Sequence, residues 1–288
     1  MKSTWINAPA KINLALDVLR RRDDGYHEVR MIMQSIRLFD RLTLERDNTP
    51  GIRLKTNLGF LPVDENNLVY KAAALLREEF GITDGLNILL EKRIPVAAGM
   101  AGGSTDAASC MIALNRLYKL GLSNEDLMKR GVTLGADIPY CVMKGTAISE
   151  GIGEILTPLP PAPDCFILIA KPGIHVSTRT VYGNLTLNDK TVHPDIDNMI
   201  TAIEKGNVAD MCSCLGNILE DVTIKDHPEI KRIKQTMLEN GALGSLMSGS
   251  GPTVFGIFDD KDKAEYTKKI CRDLPGGCFV FTTDMYRI

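Results

Sequence analysis

Residues 95–109 read P-V-A-A-G-M-A-G-G-S-T-D-A-A-S, a run almost free of bulky side chains with glycine at 99, 102 and 103. Directly after it, Ala107, Met111, Leu114 and Tyr118 recur at helical spacing. A glycine-rich loop therefore opens onto a helix N-terminus. Glycine lets the main chain turn tightly and lets a ligand approach it. Unpaired N–H groups in the first helical turn, with the helix dipole behind them, favour an anion, phosphate foremost. Ser104 and Thr105 stand where a hydroxyl caps the helix or touches a phosphate. The competing reading is a small-residue turn that packs a helix closely against a sheet. The length of the run and its Ser-Thr ending favour the anion. No lysine follows the glycines as a Walker loop requires, and the G-x-G-x-x-G spacing of a dinucleotide fingerprint is absent.

The rest of the chain sets bounds on that reading. Its 288 residues suffice for one large domain or two ordinary ones. A formal net charge of −2 with no long basic run disfavours nucleic acid as a partner. No apolar run approaches the ~20 residues that cross a bilayer, and the first residues, M-K-S-T-W-I-N-A-P-A-K, lack an apolar signal core. A cytoplasmic enzyme or binding protein is expected. Seven cysteines are scattered without a C-x-x-C pair, so free thiols are expected rather than a disulfide framework or a zinc site.

In chain order, residues 4–19 alternate as strands do, and Pro9 is expected to interrupt them at an edge, a bulge or a strand start. Lys11 and Asn13 share one face of an extended chain. Such a lysine either snorkels to water or meets an anion. Asp24-Gly25 signals a turn with Tyr26 and His27 at its exit. Separate strands are expected over 29–36, 42–46, 52–56 and 86–90, with an amphipathic helix from Leu68 closed by Gly81. Ser123 caps the helix after the loop helix, and that helix is expected to end at G-A-D-I-P, with Asp137 a turn residue or a positioned acid or base. The proline run 158–163 divides the chain into 1–157 and 164–288. Beyond it come a strand at 166–170, helices near 198–204, 208–215 and 230–240, a second small-residue loop, a helix over 261–272 and a last strand at 278–282. Both halves read as α+β.

Three stretches then agree with one family. P-A-K-I-N-L (9–14), P-V-A-A-G-M-A-G-G-S-T-D-A-A (95–108) and M-S-G-S-G-P-T (247–253) resemble the three motifs of GHMP-type small-molecule kinases. D-G-Y-H, L-G-A-D-I-P and E-G-I-G-E resemble the branch of that superfamily that phosphorylates a cytidine diphosphate-linked polyol of the non-mevalonate isoprenoid route. Each motif is weak alone; several in the right order over nearly the whole chain are specific.

The resemblance implies a two-domain GHMP kinase fold of class α+β. It comprises a ribosomal S5 domain 2-like N-terminal domain, a ferredoxin-like C-terminal domain and an active site in the interdomain cleft. It implies ATP and Mg²⁺ as cofactors. Pro95, Val96, Ala97, Ala98, Gly99, Met100, Ala101, Gly102, Gly103, Ser104 and Thr105 would hold the triphosphate, with Asn67 and Lys92 lining the nucleotide site. Lys11 and Asp137 match the catalytic pair. Asp137 would accept the proton of the alcohol, and Lys11 would hold Asp137 ionised and offset charge near the transferring group. Tyr26 and Tyr182 would stack on the two faces of the cytosine ring, His27 would read its edge through backbone groups, and Asn13 and Thr178 would complete the acceptor pocket. Ser248, Gly249, Ser250 and Gly251 would close over the phosphates. No glutamate stands at a clear position to hold Mg²⁺, which would ride on the ATP phosphates with Ser104 as the one hydroxyl on offer. The same-fold alternative is a kinase for homoserine or mevalonate, against which Tyr26-His27 speaks. A non-catalytic nucleotide-binding or RNA-binding relative is the alternative from another class. The partners expected are small molecules, with neither nucleic acid nor membrane, in a monomer or homodimer.

Overall fold

The computed structural model describes residues 2–189 and 191–288. Its elements run β1 (Ser3–Arg21), β2 (His27–Asp47), β3 (Ile52–Thr56), α1 (Leu68–Glu79), β4 (Gly85–Glu91), α2 (Gly102–Tyr118), α3 (Asn124–Gly131), α4 (Ile138–Met143), β5 (Thr146–Gly151) and β6 (Ile155–Pro158). They continue with β7 (Phe166–Pro172), α5 (Thr178–Asn184), α6 (Ile196–Glu204), α7 (Val208–Ser213), β8 (Gly216–Asn217), α8 (Glu220–Asp226), α9 (Pro228–Glu239), β9 (Gly244–Met247), β10 (Val254–Phe258), α10 (Lys261–Arg272) and β11 (Cys278–Asp284). Contacts divide the chain into two compact units, each assembled from separate stretches: 1–10, 38–96 and 101–144 in the first, 11–37, 97–100 and 145–288 in the second.

In the first unit β3, α1 and β4 form a parallel βαβ step, and β4 pairs antiparallel with the Arg41–Asp47 end of β2. α1 packs on α2, and α2 and α3 on α4. Val69, Ala72, Ala73 and Leu76 of α1 are buried, the helical stripe that the sequence shows. α3 begins with a full capping box, Ser123 and Asp126 each bonding the other's backbone N–H.

In the second unit β5 pairs with Val29–Gln34 of β2 and with β6, while β8 runs parallel to β1 at Ala15 and Leu16. A four-stranded sheet follows in the order β11-β7-β10-β9, antiparallel throughout. With α9 between β7 and β9, and α10 between β10 and β11, this is the expected ferredoxin-like arrangement. β10 is buried at every residue, so it reads as a continuous apolar run.

Three expectations need correction. β1 passes through Pro9 without a break; two residues on, the Lys11 N–H donates to the Met100 carbonyl of the glycine-rich loop at 3.2 Å. β2 is one strand rather than two, because Asp40, which spoils the apolar alternation, is buried against polar partners. The helix capped by Ser123 stops at Gly131, and Asp137 is the N-cap of a further helix, α4, with Pro139 in its first turn. α4, α5 and α8 are too short for periodicity to reveal.

Candidate active site

The glycine-rich loop leaves β4 and enters α2. Besides Gly99 (φ 70°), it holds Ala97 (φ 50°) and Ala101 (φ 53°) in the left-handed region. An alanine there costs roughly 1–2 kcal/mol and persists only where its surroundings over-determine it. Ala101 is the N-cap of α2, and no side chain caps that helix. Neither Ser104 nor Thr105 therefore serves as a cap, and the first-turn N–H groups are left for another acceptor. Ser104 is half-buried and Gly103 exposed, whereas Thr105 is buried and its hydroxyl has no partner.

The crest of this loop and the C-terminal glycine loop meet main chain to main chain. A Cβ at Gly99 would lie 2.2 Å from the Ser248 carbonyl oxygen, and Ser248 Oγ donates to the Gly99 carbonyl at 2.9 Å. Glycine is required at 99 by both the positive φ and the close approach. The second loop is tied from below. Asn217 Nδ2 donates to the carbonyls of Met247 and Gly249, both at 2.8 Å, and Thr223 Oγ1 donates to that of Ser250 at 3.2 Å. The Ser250 hydroxyl lies 2.8 Å from that of Thr178 on α5. Asn217 carries no motif, and sequence reasoning passes over it.

Lys11 and Asn13 point to one face of β1, as their spacing predicts, and both are buried, at 6% and 0% exposure. Lys11 Nζ donates to Asn13 Oδ1 at 2.7 Å, and Asn13 Nδ2 reaches Met31 Sδ at 3.2 Å. No ion pair among the described residues includes Lys11. A buried lysine without a carboxylate partner is costly to keep charged unless an anion answers it. Asp137 lies in the first unit, half-buried, its carboxylate spared any capping bond.

Asn67 caps α1, accepting from the Val69 N–H at 2.9 Å while its Nδ2 donates to the Pro62 carbonyl at 2.8 Å. Lys92 is buried between the carboxylates of Asp40 and Asp106, the latter at 2.7 Å. Burial alone would lower its pKa, but Asp106 and Asp40 outweigh this and raise it. Burial pushes the Asp106 carboxyl well above the ordinary range; Lys92 opposes this and Asp40 adds to it.

At the far end of the β1–β2 hairpin, the His27 and Tyr182 rings lie 5.2 Å apart, tilted by 43°. Tyr26 is 59% exposed. The His27 ring thus stands against Tyr182. Burial, with Arg21 nearby, lowers the His27 pKa. Among the described residues no cluster of three or more His, Cys, Asp or Glu is placed to hold a metal, and no helix is long and apolar enough to cross a membrane.

Residues 67–145 match the family description GHMP kinases N terminal domain, and residues 199–272 match GHMP kinases C terminal. The chain is 60% identical to the 4-diphosphocytidyl-2-C-methyl-D-erythritol kinase of Lachnoclostridium phytofermentans, over 90% of this chain and 89% of that one. It is 51% identical to the protein of the same name in Lachnospira eligens, over 99% of both. A crystal structure of a 4-(cytidine 5'-diphospho)-2C-methyl-D-erythritol kinase superposes with a TM-score of 0.84 at 34% identity, covering 99% of this chain and 100% of that one. A homoserine kinase from Cytophaga hutchinsonii shares the fold at a TM-score of 0.79 and 20% identity, covering 98% of this chain and 95% of that one. With both family descriptions in chain order and relatives of this identity over nearly the full length, the chain belongs to the GHMP kinase family.

Proposed function

We propose that this chain is an ATP-dependent kinase that phosphorylates the 2-hydroxyl of 4-diphosphocytidyl-2-C-methyl-D-erythritol, in non-mevalonate isoprenoid precursor biosynthesis. The observation that carries the phosphoryl chemistry is the first turn of α2: it opens from a strained glycine-rich loop and no side chain caps it. The relatives at 60% and 51% identity carry the substrate. The His27–Tyr182 ring pair supports a base-binding pocket that homoserine or mevalonate would leave unused.

In this reading the main chain of Pro95–Thr105 cradles the triphosphate, with Asn67 and Lys92 on the nucleotide side and Ser248–Gly251 closing over the phosphates. Asp137 takes the proton of the 2-hydroxyl as its oxygen attacks the γ-phosphorus and ADP departs. Lys11 answers the negative charge near the transferring group. Asn13 and Thr178 hold the acceptor, and Tyr26 and Tyr182 flank cytosine beside His27. Mg²⁺ neutralises triphosphate charge when bound; the half-buried Ser104 hydroxyl at the start of α2 suits it as the one protein ligand. The domain division at 157/164 belongs to the same proposal, supported by family matches that fall on either side of the proline run. So does a cytoplasmic location, supported by seven free cysteines.

The test is a phosphorylation assay with the cytidine diphosphate-linked polyol, mevalonate and homoserine side by side. Turnover of the first alone is expected. Faster turnover of either other alcohol overturns the substrate assignment.

A further inference from the structure

Lys92 offers a choice that the family resemblance leaves unmade: a buried lysine beside a phosphate loop either touches the phosphate or holds the loop. The geometry points to the second. We propose that Asp40, Lys92 and Asp106 form one buried device that sets both ends of the Pro95–Thr105 loop, with Lys92 a positioning residue rather than a phosphate ligand. This deepens the reading of that loop as the triphosphate site and rests on it.

Three observations carry the inference. The entry to the loop is clamped by Asp40, whose Oδ1 accepts the backbone N–H groups of Arg93 and Ile94 at 2.5 and 2.8 Å, just before Pro95. The exit is clamped by Asp106, in the opening turns of α2, which accepts from Lys92 Nζ at 2.7 Å. Lys92 Nζ also donates to Asp40 Oδ2, so a single ammonium joins entry to exit. All three side chains are buried, Lys92 being 7% exposed.

The place of the ammonium is itself informative. A Cβ at Gly102 would stand 3.2 Å from Lys92 Nζ. The cation therefore sits beneath the positive end of α2, where the helix dipole repels it. It stays because two carboxylates hold it. Two of its three N–H donors are engaged by these carboxyl groups, and its charge is answered by them rather than left for a phosphate. Asp106 Oδ1 has no hydrogen-bond partner, and two carboxyl groups around one ammonium leave the trio without the surplus positive charge that a phosphate ligand needs.

The experiment compares Lys92→Met with the triple variant Asp40→Asn/Lys92→Met/Asp106→Asn. In the triple variant the side-chain amide introduced at position 40 still accepts the Arg93 and Ile94 N–H groups through its oxygen, while no buried charge remains. Affinity for a non-hydrolysable ATP analogue is titrated, and KM is measured for each substrate. Lys92→Met is expected to weaken the analogue about tenfold or more, as small displacements of a positioned group do, and to leave KM for the alcohol unchanged. The triple variant is expected to recover most of that loss. A triple variant as weak as Lys92→Met, or weaker, makes Lys92 a phosphate ligand and overturns the proposal. If Lys92→Met does not fold, Lys92→Gln replaces it in both members of the comparison. An unmodified protein that does not bind the analogue overturns the loop assignment instead, so the two failures are told apart.

Discussion

Two buried lysines stand near the glycine-rich loop, and they differ in how their charge is answered. Lys92 is gripped by Asp40 and Asp106; Lys11 has only the neutral amide oxygen of Asn13 at 2.7 Å. The first is an element of architecture, since a buried ion pair adds little stability when formed but costs much when one partner goes. The second has no ion-pair partner among the described residues, which leaves it open for the role proposed for it beside the transferring group. Burial alone therefore does not mark a lysine as functional; the partners do.

The comparison can be broken at several points. The largest effect is expected at the unspent lysine. Lys11→Met and Asp137→Asn should each lower kcat by orders of magnitude, roughly 10²–10⁴-fold on the scale of general acid–base contributions. The analogue's affinity should stay near normal and thermal unfolding should be little changed. Steady-state kinetics with calorimetry check this; near-normal turnover in Asp137→Asn would assign the base wrongly.

Next comes the engaged lysine. Lys92→Met should cost about 3–5 kcal/mol of stability, because it strands a buried carboxylate. Urea denaturation reads this directly, and a loss as small as that of Lys11→Met would erase the distinction between the two. Gly99→Ala should destabilise by about 2 kcal/mol or more, combining positive-φ strain with the clash on the Ser248 carbonyl. An unaltered Tm would show that the two glycine loops part freely.

Tyr26→Ala serves as a control away from both lysines. It should raise KM for the cytidine substrate several-fold, since stacking contributes on the order of 1 kcal/mol, and leave KM for ATP alone. Equal effects on both substrates would count against a separate base pocket.

The smallest effect is in pH. Lys92 and Asp106 both hold their protons more tightly when folded, so their stabilisation is present at low pH and lost as pH rises. The wild type's advantage over the triple variant should decline first as pH rises above 3.8, the ordinary carboxylate value at which the unfolded chain ionises, and go on declining until folded Asp106 also gives up its proton. It should decline again above 10.5, the ordinary lysine value. Denaturation midpoints across pH would show the trend, and an advantage growing with pH would reverse the sign.

The primary sequence was sufficient for much of what is local. The glycine run followed by a periodic helix, the stripe of α1, the Ser123 cap of α3 and the alternation that puts Lys11 beside Asn13 all follow from spacing and backbone preference. The strand order of the second unit follows from the resemblance and not from spacing. Tertiary structure decided what depends on partners distant in the chain. Asp40, an interruption of the alternation in β2, becomes the clamp at the mouth of the loop. Asn217, in a strand of two residues, ties down the second glycine loop. Lys92 is spent and Lys11 is not. A side chain's charge is written in the sequence, but what answers that charge is settled only when distant segments are brought within hydrogen-bond reach.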